Sequence, residues 1–223
     1  MGDYWTKSIS FECYHNEEHV QLTADPPQVN RTIYPKMRIA ACDYYRQSGD
    51  SSALTTRHLV IVPDEGLFNA PMNIEDTTAG GYVLSKFRTT YKAGAVNAFN
   101  AFFGSSHILP YREYLVNAVT DGRPTGGGWF DCNVKLMDER QVYGSLIFDS
   151  GASDGSNDYN RYSVSCKQLP LFKVRPDLIS NRQYFWLRNI ISTSRFASVN
   201  NNGNCDCNNA SDVNGVRPAA LIH

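Results

Sequence analysis

The chain has 223 residues, of which 42% are hydrophobic and 19% are charged, and its formal net charge is −1. This composition supplies enough apolar side chains for a sizeable core, which excludes disorder of the whole chain. The near-neutral charge, without any basic block, excludes the electrostatic footprint that nucleic-acid-binding proteins carry, so no nucleic-acid partner is expected.

The sequence also lacks the signals of membrane insertion and export. No apolar run approaches the ~20 residues of a membrane-spanning helix, so no membrane insertion is expected. Residues 1–5 lack a basic region followed by an apolar one, so we expect no signal peptide and synthesis in the cytoplasm. We therefore expect mostly free thiols, and no metal or other cofactor, because the cysteine spacings lack the paired ligands of a zinc site. The six cysteines are Cys13, Cys42, Cys132, Cys166, Cys205 and Cys207.

The first 60 residues are rich in β-forming side chains. Alternating polar and apolar residues predict a strand over 4–14, a second extended piece over 31–41 and a short buried strand over 58–62. We therefore expect residues 1–50 to form a β-rich N-terminal portion. It is either an addition to the domain that residues 51–223 form or a part of that domain.

Helical periodicity dominates the middle of the chain. The clearest helix is predicted over 81–103, and Gly104 follows it in the place of a left-handed cap. Its apolar stripe comprises Leu84, Phe87, Tyr91, Ala95, Phe99 and Phe102. Two further helices are predicted over 111–119 and 133–142, with residues 125–128 as a flexible glycine-rich turn between them.

Strand and turn signals replace the helical pattern after Gly144. Residues 149–160 are predicted to be a polar loop, and 169–178 and 183–188 hold short apolar pieces. Residues 196–199 lead into 200–203, whose Asn-Gly ending is a strong hairpin signal, and 215–223 form an apolar closing strand. Helices in the first half and a β-rich C-terminal half favour an α+β fold.

The segment 189–214 is unusually rich in asparagine and lies between two apolar frames, YFWLR before it and GVRPAALI after it. A core cannot be built from asparagine, because each buried amide needs hydrogen-bond partners. The segment is therefore expected at the surface. An ordinary polar hairpin and a binding surface on a stiff scaffold are both compatible with this pattern.

Several stretches from about residue 55 to the C-terminus resemble a family of phage and prophage proteins. They include WFDC at 129–132, QVYG at 141–144, LPLF at 169–172, YFWLR at 184–188 and GVRP at 215–218. The frame WLR…GVRP around an Asn/Ser-rich stretch is the most specific part. The chain is similar to variable proteins of diversity-generating retroelements, whose C-type-lectin-like fold is related to formylglycine-generating enzymes.

The resemblance implies that error-prone copying at template adenines rewrites codons near the 3′ end of the gene. Asparagine codons are rich in adenine, as such a mechanism requires. The implied displayed, ligand-binding positions are Asn189, Thr193, Ser194, Arg195, Ser198, Asn200, Asn202, Asn204, Asp206, Asn208, Asn209, Asp212 and Asn214. The implied scaffold positions are Trp186, Leu187, Arg188, Phe196, Val199, Gly203, Gly215, Val216, Arg217 and Pro218.

Catalytic and metal-binding alternatives have weaker support. Cys205 and Cys207 are compatible with the thiols of a formylglycine-generating enzyme, but two residues apart on a polar strand they are better interpreted as surface positions on one face. Asp149, Asp154 and Asp158 offer oxygen ligands for calcium, yet their spacing does not fit a calcium loop. We therefore expect no catalytic residue and no enzymatic activity.

The sequence favours a ligand-binding protein carried on a phage particle, with a host-cell surface protein or glycan and other virion proteins as its partners. A homo-oligomer is compatible with this interpretation. The alternative is a structural virion component, either a head-decoration or a tail protein, whose polar hairpin faces solvent and whose N-terminal strands contact other virion proteins. An enzyme of the formylglycine-generating type is a third hypothesis.

Overall fold

The computed structural model describes residues 2–50, 54–148 and 168–223. The fold contains both strands and helices. About 40% of the residues are in strands and 19% are in helices, so sheets form most of the regular structure. Among the described residues, strands lie in the N-terminal portion, as expected, and also in the middle of the chain, so the first half is less helical than the sequence predicted.

The first five-stranded sheet joins both ends of the chain. In spatial order it comprises β1 (Tyr4–Thr6), β4 (Lys36–Cys42), β5 (Leu59–Pro63), β14 (Pro218–Ile222) and β9 (Val134–Leu136). Strand β14 lies between β5 and β9 and is wholly apolar, and its Ala220 lies opposite Ile61 on one side and Val134 on the other. The N-terminal residues therefore belong to the same sheet as the closing strand.

The second five-stranded sheet carries the asparagine-rich segment. In spatial order it comprises β12 (Cys205–Asn209), β11 (Arg195–Val199), β10 (Phe185–Ile190), β13 (Asn214–Val216) and β6 (Phe68–Ala70). All six residues of β10 are buried, and β12 is an edge strand. The apolar piece over 183–188 leads into β10, and the extended run over 196–199 lies on β11. The closing strand predicted over 215–223 is divided between β13 in this sheet and β14 in the first sheet.

Two hairpins flank these sheets. The first consists of β2 (Ile9–Tyr14) and β3 (Gln28–Ile33). Strand β2 buries alternate residues, as its sequence predicted, and packs its Cys13 against Gly94 of the long helix. The predicted strand over 4–14 is thus two strands, β1 and β2, which join different sheets.

The second hairpin, β7 (Tyr111–Thr120) and β8 (Arg123–Cys132), replaces a predicted helix and a predicted flexible turn. Asp121 and Gly122 both have positive φ, as a two-residue hairpin turn of type I′ requires. Burial alternates along β7, with Glu113 and Leu115 inside. The Asp-Gly turn signal and this period of two determine the structure here.

The predicted helix over 81–103 is interrupted. It consists of α1 (Gly81–Leu84), a π-helical turn (Phe87–Tyr91) and α2 (Lys92–Phe103). Ser85 adopts an extended conformation between the first two, which leaves Leu84 exposed, contrary to its predicted place on the buried stripe. The other stripe residues are buried, and Gly104 ends α2 with a positive φ but an extended ψ rather than a left-handed cap.

The remaining helices are short. A single turn, Ser105–His107, follows α2, and α3 (Glu139–Tyr143) begins at a capping box formed by Asp138 and Gln141. The helix predicted over 133–142 is wrong in its first half, where β9 pairs with β14. Residues 169–178 form α4 (Pro170–Val174) and a turn at Pro176–Leu178. The polar loop predicted over 149–160 lies outside the described residues.

Candidate ligand-binding surface

The surface segment, residues 191–213, runs from the end of β10 to the start of β13 at one edge of the second sheet. Strands β11 and β12 form its centre as an antiparallel hairpin, with Arg195 opposite Asn209 and Val199 opposite Cys205. Loops 191–194 and 210–213 lie at one end of this hairpin, and the turn 200–204 lies at the other.

The turn 200–204 is organised by one asparagine side chain. Asn200 Oδ1 accepts hydrogen bonds from the backbone N–H groups of Asn202 and Asn204, both at 3.0 Å. Gly203 has a φ of +88°, which glycine adopts without strain. The hairpin signal in the sequence is confirmed, and Asn200 has a structural role within it.

The same turn is also held from outside the segment. The Ser180 hydroxyl donates to the carbonyl of Asn201 at 2.9 Å, and the Tyr143 hydroxyl donates to the carbonyl of Gly203 at 3.0 Å. Backbone carbonyl oxygens accept both hydrogen bonds, so neither bond depends on which side chain the turn residue carries.

The loop 191–194 is held in a similar way. Thr78 donates its hydroxyl to the carbonyl of Ser192 at 2.7 Å and its N–H to the carbonyl of Thr193 at 2.9 Å. Gly122, at the tip of the β7–β8 hairpin, packs so closely on this loop that a Cβ would lie 2.5 Å from the Thr193 nitrogen. The hairpin tip therefore supports the loop directly.

The loop 210–213 is attached to the segment that follows β6. The carbonyl of Ala210 accepts the N–H groups of Met72 and Asn73 at 2.9 and 2.8 Å. The carboxylate of Asp76 accepts both the N–H and the hydroxyl of Ser211, at 3.1 and 2.6 Å. Both ends of the surface segment are thus fixed to neighbouring elements.

The free edge of β12 is capped by aspartate side chains. Asp206 Oδ1 accepts the N–H of Cys207 at 2.8 Å, and Asp212 Oδ2 accepts the N–H of Asn209 at 3.0 Å. Since these N–H groups bond to carboxylates, they point away from β11 and are not available to an added strand. The capping protects the edge from uncontrolled strand pairing.

The predicted displayed residues differ in exposure, and most of them reach solvent. The exposed ones are Thr193, Arg195, Asn202 and Asn204. The partly buried ones are Ser194, Asn200, Asp206, Asn208, Asn209 and Asp212.

Three of the predicted displayed residues are buried, which corrects their assignment to the surface. Asn189 and Asn214 lie on the interior strands β10 and β13, and Ser198 lies on β11, next to the edge strand β12. Asn189 Oδ1 accepts the N–H of Glu139 at 2.8 Å, and the Ser198 hydroxyl donates to Asn208 Oδ1 at 2.6 Å. The amide of Asn214 has no hydrogen-bond partner among the described residues.

The frame residues are buried, as the sequence predicted, except that Tyr184 and Ile222 are partly buried. Trp186 donates its indole N–H to the carbonyl of Ala70 at 2.8 Å. Arg217 donates to the carbonyls of Pro63, Ile179 and Leu178 at 2.8–2.9 Å, and burial lowers the pKa of its guanidinium to about 10. Arg217 therefore joins β5 of the first sheet to the turn after α4.

An ionic network below the surface segment was not predicted from the sequence. Arg188 contacts the carboxylates of Asp138 at 2.6 Å and Glu113 at 3.0 Å, and Lys135 pairs with Glu113. All four side chains are buried. They come from three distant segments, since only Lys135 and Asp138 are near each other in the chain, and no spacing in the sequence could have revealed them.

The electrostatics of this network follow from burial and mutual attraction. Burial alone would raise the pKa of Glu113, but the charges of Lys135 and Arg188 outweigh it and lower that pKa. Burial, together with the charge of Arg188, lowers the pKa of Lys135 to about 8. Two positive and two negative groups compensate each other, so the network is a structural anchor for Arg188 of the frame.

The five cysteines within the described residues are free, in agreement with the sequence prediction. Cys205 is partly buried and donates its thiol to Glu139 Oε1 at 3.3 Å. Burial raises the pKa of this thiol, and the nearby Glu139 carboxylate raises it further. A thiol in this environment is not activated, because nucleophilic cysteines require a lowered pKa.

The described part of the chain contains no cluster of three or more histidine, cysteine or acidic residues that could hold a metal ion. The calcium hypothesis for Asp149, Asp154 and Asp158 lies outside the described residues. Among the described helices, none is both long enough and apolar enough to cross a bilayer.

Protein-family models, curated proteins and solved structures give no significant match to this chain.

Proposed function

We propose that this protein binds ligands through the surface segment on a C-type-lectin-like scaffold, and that a phage particle carries it. In this proposal the ligand is a host-cell surface protein or glycan, and the protein is not an enzyme. The contacting side chains are those of Thr193, Arg195, Asn202 and Asn204, together with Asp206, Asn208 and Asn209 on β12.

One observation carries the proposal: groups outside the surface segment hold it mainly through its backbone, and the side chains of Ser211, bonded to Asp76, and Cys205, bonded to Glu139, are exceptions. Thr78, Tyr143 and Ser180 donate to carbonyls of the segment, and the N–H groups of Met72 and Asn73 do the same. Every residue type offers the same carbonyl. Side chains here can therefore change while the backbone keeps its course, as a sequence-tolerant binding surface requires.

The chemistry of the segment suits a hydrogen-bonding ligand. Amides and hydroxyls both donate and accept, which matches peptide groups and sugar hydroxyls alike. The segment has no Tyr or Trp after Trp186, so it lacks the usual aromatic anchors of tight interfaces. Weak single contacts on a rigid frame are best used at high valency, such as many copies on one particle.

The thiol chemistry supports binding over catalysis. A formylglycine-generating enzyme would use Cys205 and Cys207 as reactive thiols, yet the Glu139 carboxylate and burial both raise the pKa of Cys205. Replacing both cysteines with alanine is expected to leave ligand binding intact, because neither is among the exposed residues.

Sequencing the last hundred or so bases of this gene from a natural population tests the diversification part of the proposal. We expect substitutions at adenine positions between the codons of Arg188 and Gly215, and no change in the flanking frames. The codons of Asn200 and Asp212 should change less often than those of Asn202 and Asn204, since their side chains fix the turn and the strand edge. A uniform segment would favour the structural virion component instead.

A binding measurement tests the surface itself. The wild-type protein, multimerised and labelled, is applied to a glycan array and to a bacterial cell-surface preparation. A triple variant, Thr193→Ala with Asn202→Ala and Asn204→Ala, is expected to lose any specific signal while keeping its melting temperature. Leu84→Ala, an exposed position on α1, is the matched control and should bind as the wild type does. Equal signals from the wild type and the triple variant would contradict the proposal.

A further inference from the structure

The edge strands of the two five-stranded sheets differ in burial and in the capping of their backbone groups. The edge strands β6 and β9 are largely buried, and the edge of β12 is capped by Asp206 and Asp212. Strand β1 is the exception, because all three of its residues are exposed. An exposed, uncapped edge is a template for pairing with another strand.

The backbone of β1 shows which groups it offers. The N–H of Ile39 donates to the carbonyl of Asp3 at 3.0 Å, so Asp3 faces β4. Hydrogen-bonded pairs alternate along an antiparallel ladder, so Trp5 opposite Met37 also faces β4. The carbonyl of Lys36, opposite Thr6, bonds instead to the N–H of Asp64. Tyr4 and Thr6 therefore direct their N–H and C=O groups outward.

The outward backbone groups of Tyr4 and Thr6 are not capped within the described part of the chain. No side chain there accepts a hydrogen bond from the N–H of Tyr4 or Thr6, in contrast to the aspartate caps on β12. The edge of β1 thus presents backbone groups in register for an added strand.

We propose that β1 pairs with β1 of a second copy of this chain, antiparallel about a two-fold axis at Trp5. In this register Tyr4 lies opposite Thr6 of the second copy, and their outward backbone groups exchange hydrogen bonds. Trp5 lies opposite Trp5 in a non-hydrogen-bonded pair, where side chains approach each other most closely. An axis at Trp5 therefore pairs the residues whose backbone groups face outward, Tyr4 and Thr6, with each other.

The charges beside β1 identify the partner as a second copy. Asp3 lies two residues before Trp5, and Lys7 lies two residues after it. The two-fold axis places each Asp3 opposite Lys7 of the other copy, in a second close pair. Such self-complementarity is what an isologous interface requires.

The side-chain surroundings of Trp5 fit the same arrangement. Trp5 is 43% exposed and contacts Phe103 edge-on at 6.0 Å, while Lys7 lies 5.1 Å from the centre of the Phe102 ring. These four residues, with His107 and Ile222, line a groove of about 450 Å³. The groove provides an apolar site beside the axis for Trp5 of the second copy, which would remove both indole rings from water.

Charge reversal tests the pairing by sedimentation over a range of protein concentrations. We expect the wild type to dimerise, and Asp3→Lys or Lys7→Glu to weaken the dimer about tenfold, because each places like charges opposite each other. The double variant should restore dimerisation, since it exchanges the two charges within the same register. Both side chains are exposed, so the fold should be unaffected, as circular dichroism would check.

Thr6→Pro provides an independent test, because it removes an outward N–H that the single chain does not use. It is expected to abolish the dimer without lowering the melting temperature by more than a few degrees. Leu84→Ala, on α1, is the control and should dimerise normally. A wild type that stays monomeric, single reversals that leave the dimer unchanged, or a double variant that fails to restore it would each overturn the proposal.

Discussion

Asparagine has opposite roles at two buried positions beside the surface segment. Asn189 Oδ1 accepts the N–H of Glu139, at the start of α3, whereas the amide of Asn214 has no partner among the described residues. A buried amide stabilises a fold when it is paired and destabilises it when it is not. The same residue type therefore stabilises the fold at one position and destabilises it at the other.

We expect Asn189→Ala to lower the free energy of unfolding by about 1–3 kcal/mol, because it leaves the Glu139 N–H buried and unpaired. Asn214→Val should leave that free energy unchanged or raise it, since an apolar side chain ends the burial of an unpaired amide. Urea unfolding of the two variants beside the wild type measures both effects. A large loss of stability in Asn214→Val would show that its amide is paired after all.

His15 gives the fold a dependence on pH. Its Nδ1 accepts the N–H of Asn69 at 3.0 Å, and its Nε2 lies 2.8 Å from Arg31 Nη1. Burial, and secondarily the Arg31 charge, lowers the pKa of His15 from 6.5 to about 4. The unfolded chain therefore binds a proton between these two values that the folded chain does not bind.

The contribution of His15 should be fully present above about pH 6.5 and should be lost as the pH falls towards 4. We expect the urea midpoint of the wild type to drop between pH 7 and pH 4.5. His15→Gln, which cannot titrate, should show a smaller drop over the same interval. Equal drops in the two proteins would assign the acid sensitivity to other groups.

The β7–β8 hairpin is the element that supports the surface segment from below. Its tip residue Gly122 has a φ of +73°, and a Cβ there would lie 2.5 Å from the Thr193 nitrogen and 2.6 Å from the Ser192 carbonyl carbon. Both constraints can be met by glycine alone. The conformation of loop 191–194 therefore depends on a residue about 70 positions earlier in the chain.

Gly122→Ala is expected to destabilise the protein by about 1–2 kcal/mol from the left-handed backbone alone, and further through the displaced loop. Gly126→Ala is the matched control, because Gly126 lies in the same hairpin, has no positive φ, and a Cβ there would contact only side-chain atoms at 3.3 Å or beyond. Chemical denaturation gives the stabilities, and the amide signal of Thr193 reports the loop. Variants of equal stability with unmoved Thr193 signals would contradict this account.

The elements that could be predicted are those whose local signals agree with their packing. Strand β5 is a short apolar run, and the turn 200–204 carries an Asn-Gly signal, so both were predicted correctly. Strand β7 was predicted as a helix, because Tyr111, Leu115 and Val119 also repeat every four residues. Its pairing with β8 decided the outcome, and only the Asp121-Gly122 turn signalled that pairing locally.

The candidate site was predicted in location but not in detail. Asparagine content identified residues 189–214 as a polar segment, yet it could not separate the exposed Asn202 from the buried Asn189 and Asn214. That distinction depends on strand order, which places β10 and β13 inside the second sheet. The outside contacts from Thr78, Tyr143 and Ser180 arise from pairing between distant segments, which no local pattern encodes.

At the scale of the whole molecule, the buried ionic network and the proposed β1 pairing have complementary roles. Glu113, Lys135, Asp138 and Arg188 connect β7, β9 and β10, and so join the two sheets under the surface segment. Removing one member of such a network typically costs more than replacing the whole network by apolar residues. Pairing through β1 would add a second copy of the surface, and with it avidity, without using any residue of the segment itself.

The position of β14 has a consequence for how the protein is made. Chain synthesis proceeds from the N-terminus, yet the strand between β5 and β9 is supplied by residues 218–222. The first sheet therefore cannot close until the ribosome has translated the whole surface segment and the frame beyond it. A message with a premature stop codon in that segment would yield a chain with Ile61 and Val134 uncovered, a substrate for cellular proteases. The late position of β14 thus makes the burial of Ile61 and Val134 depend on translation of the whole surface segment.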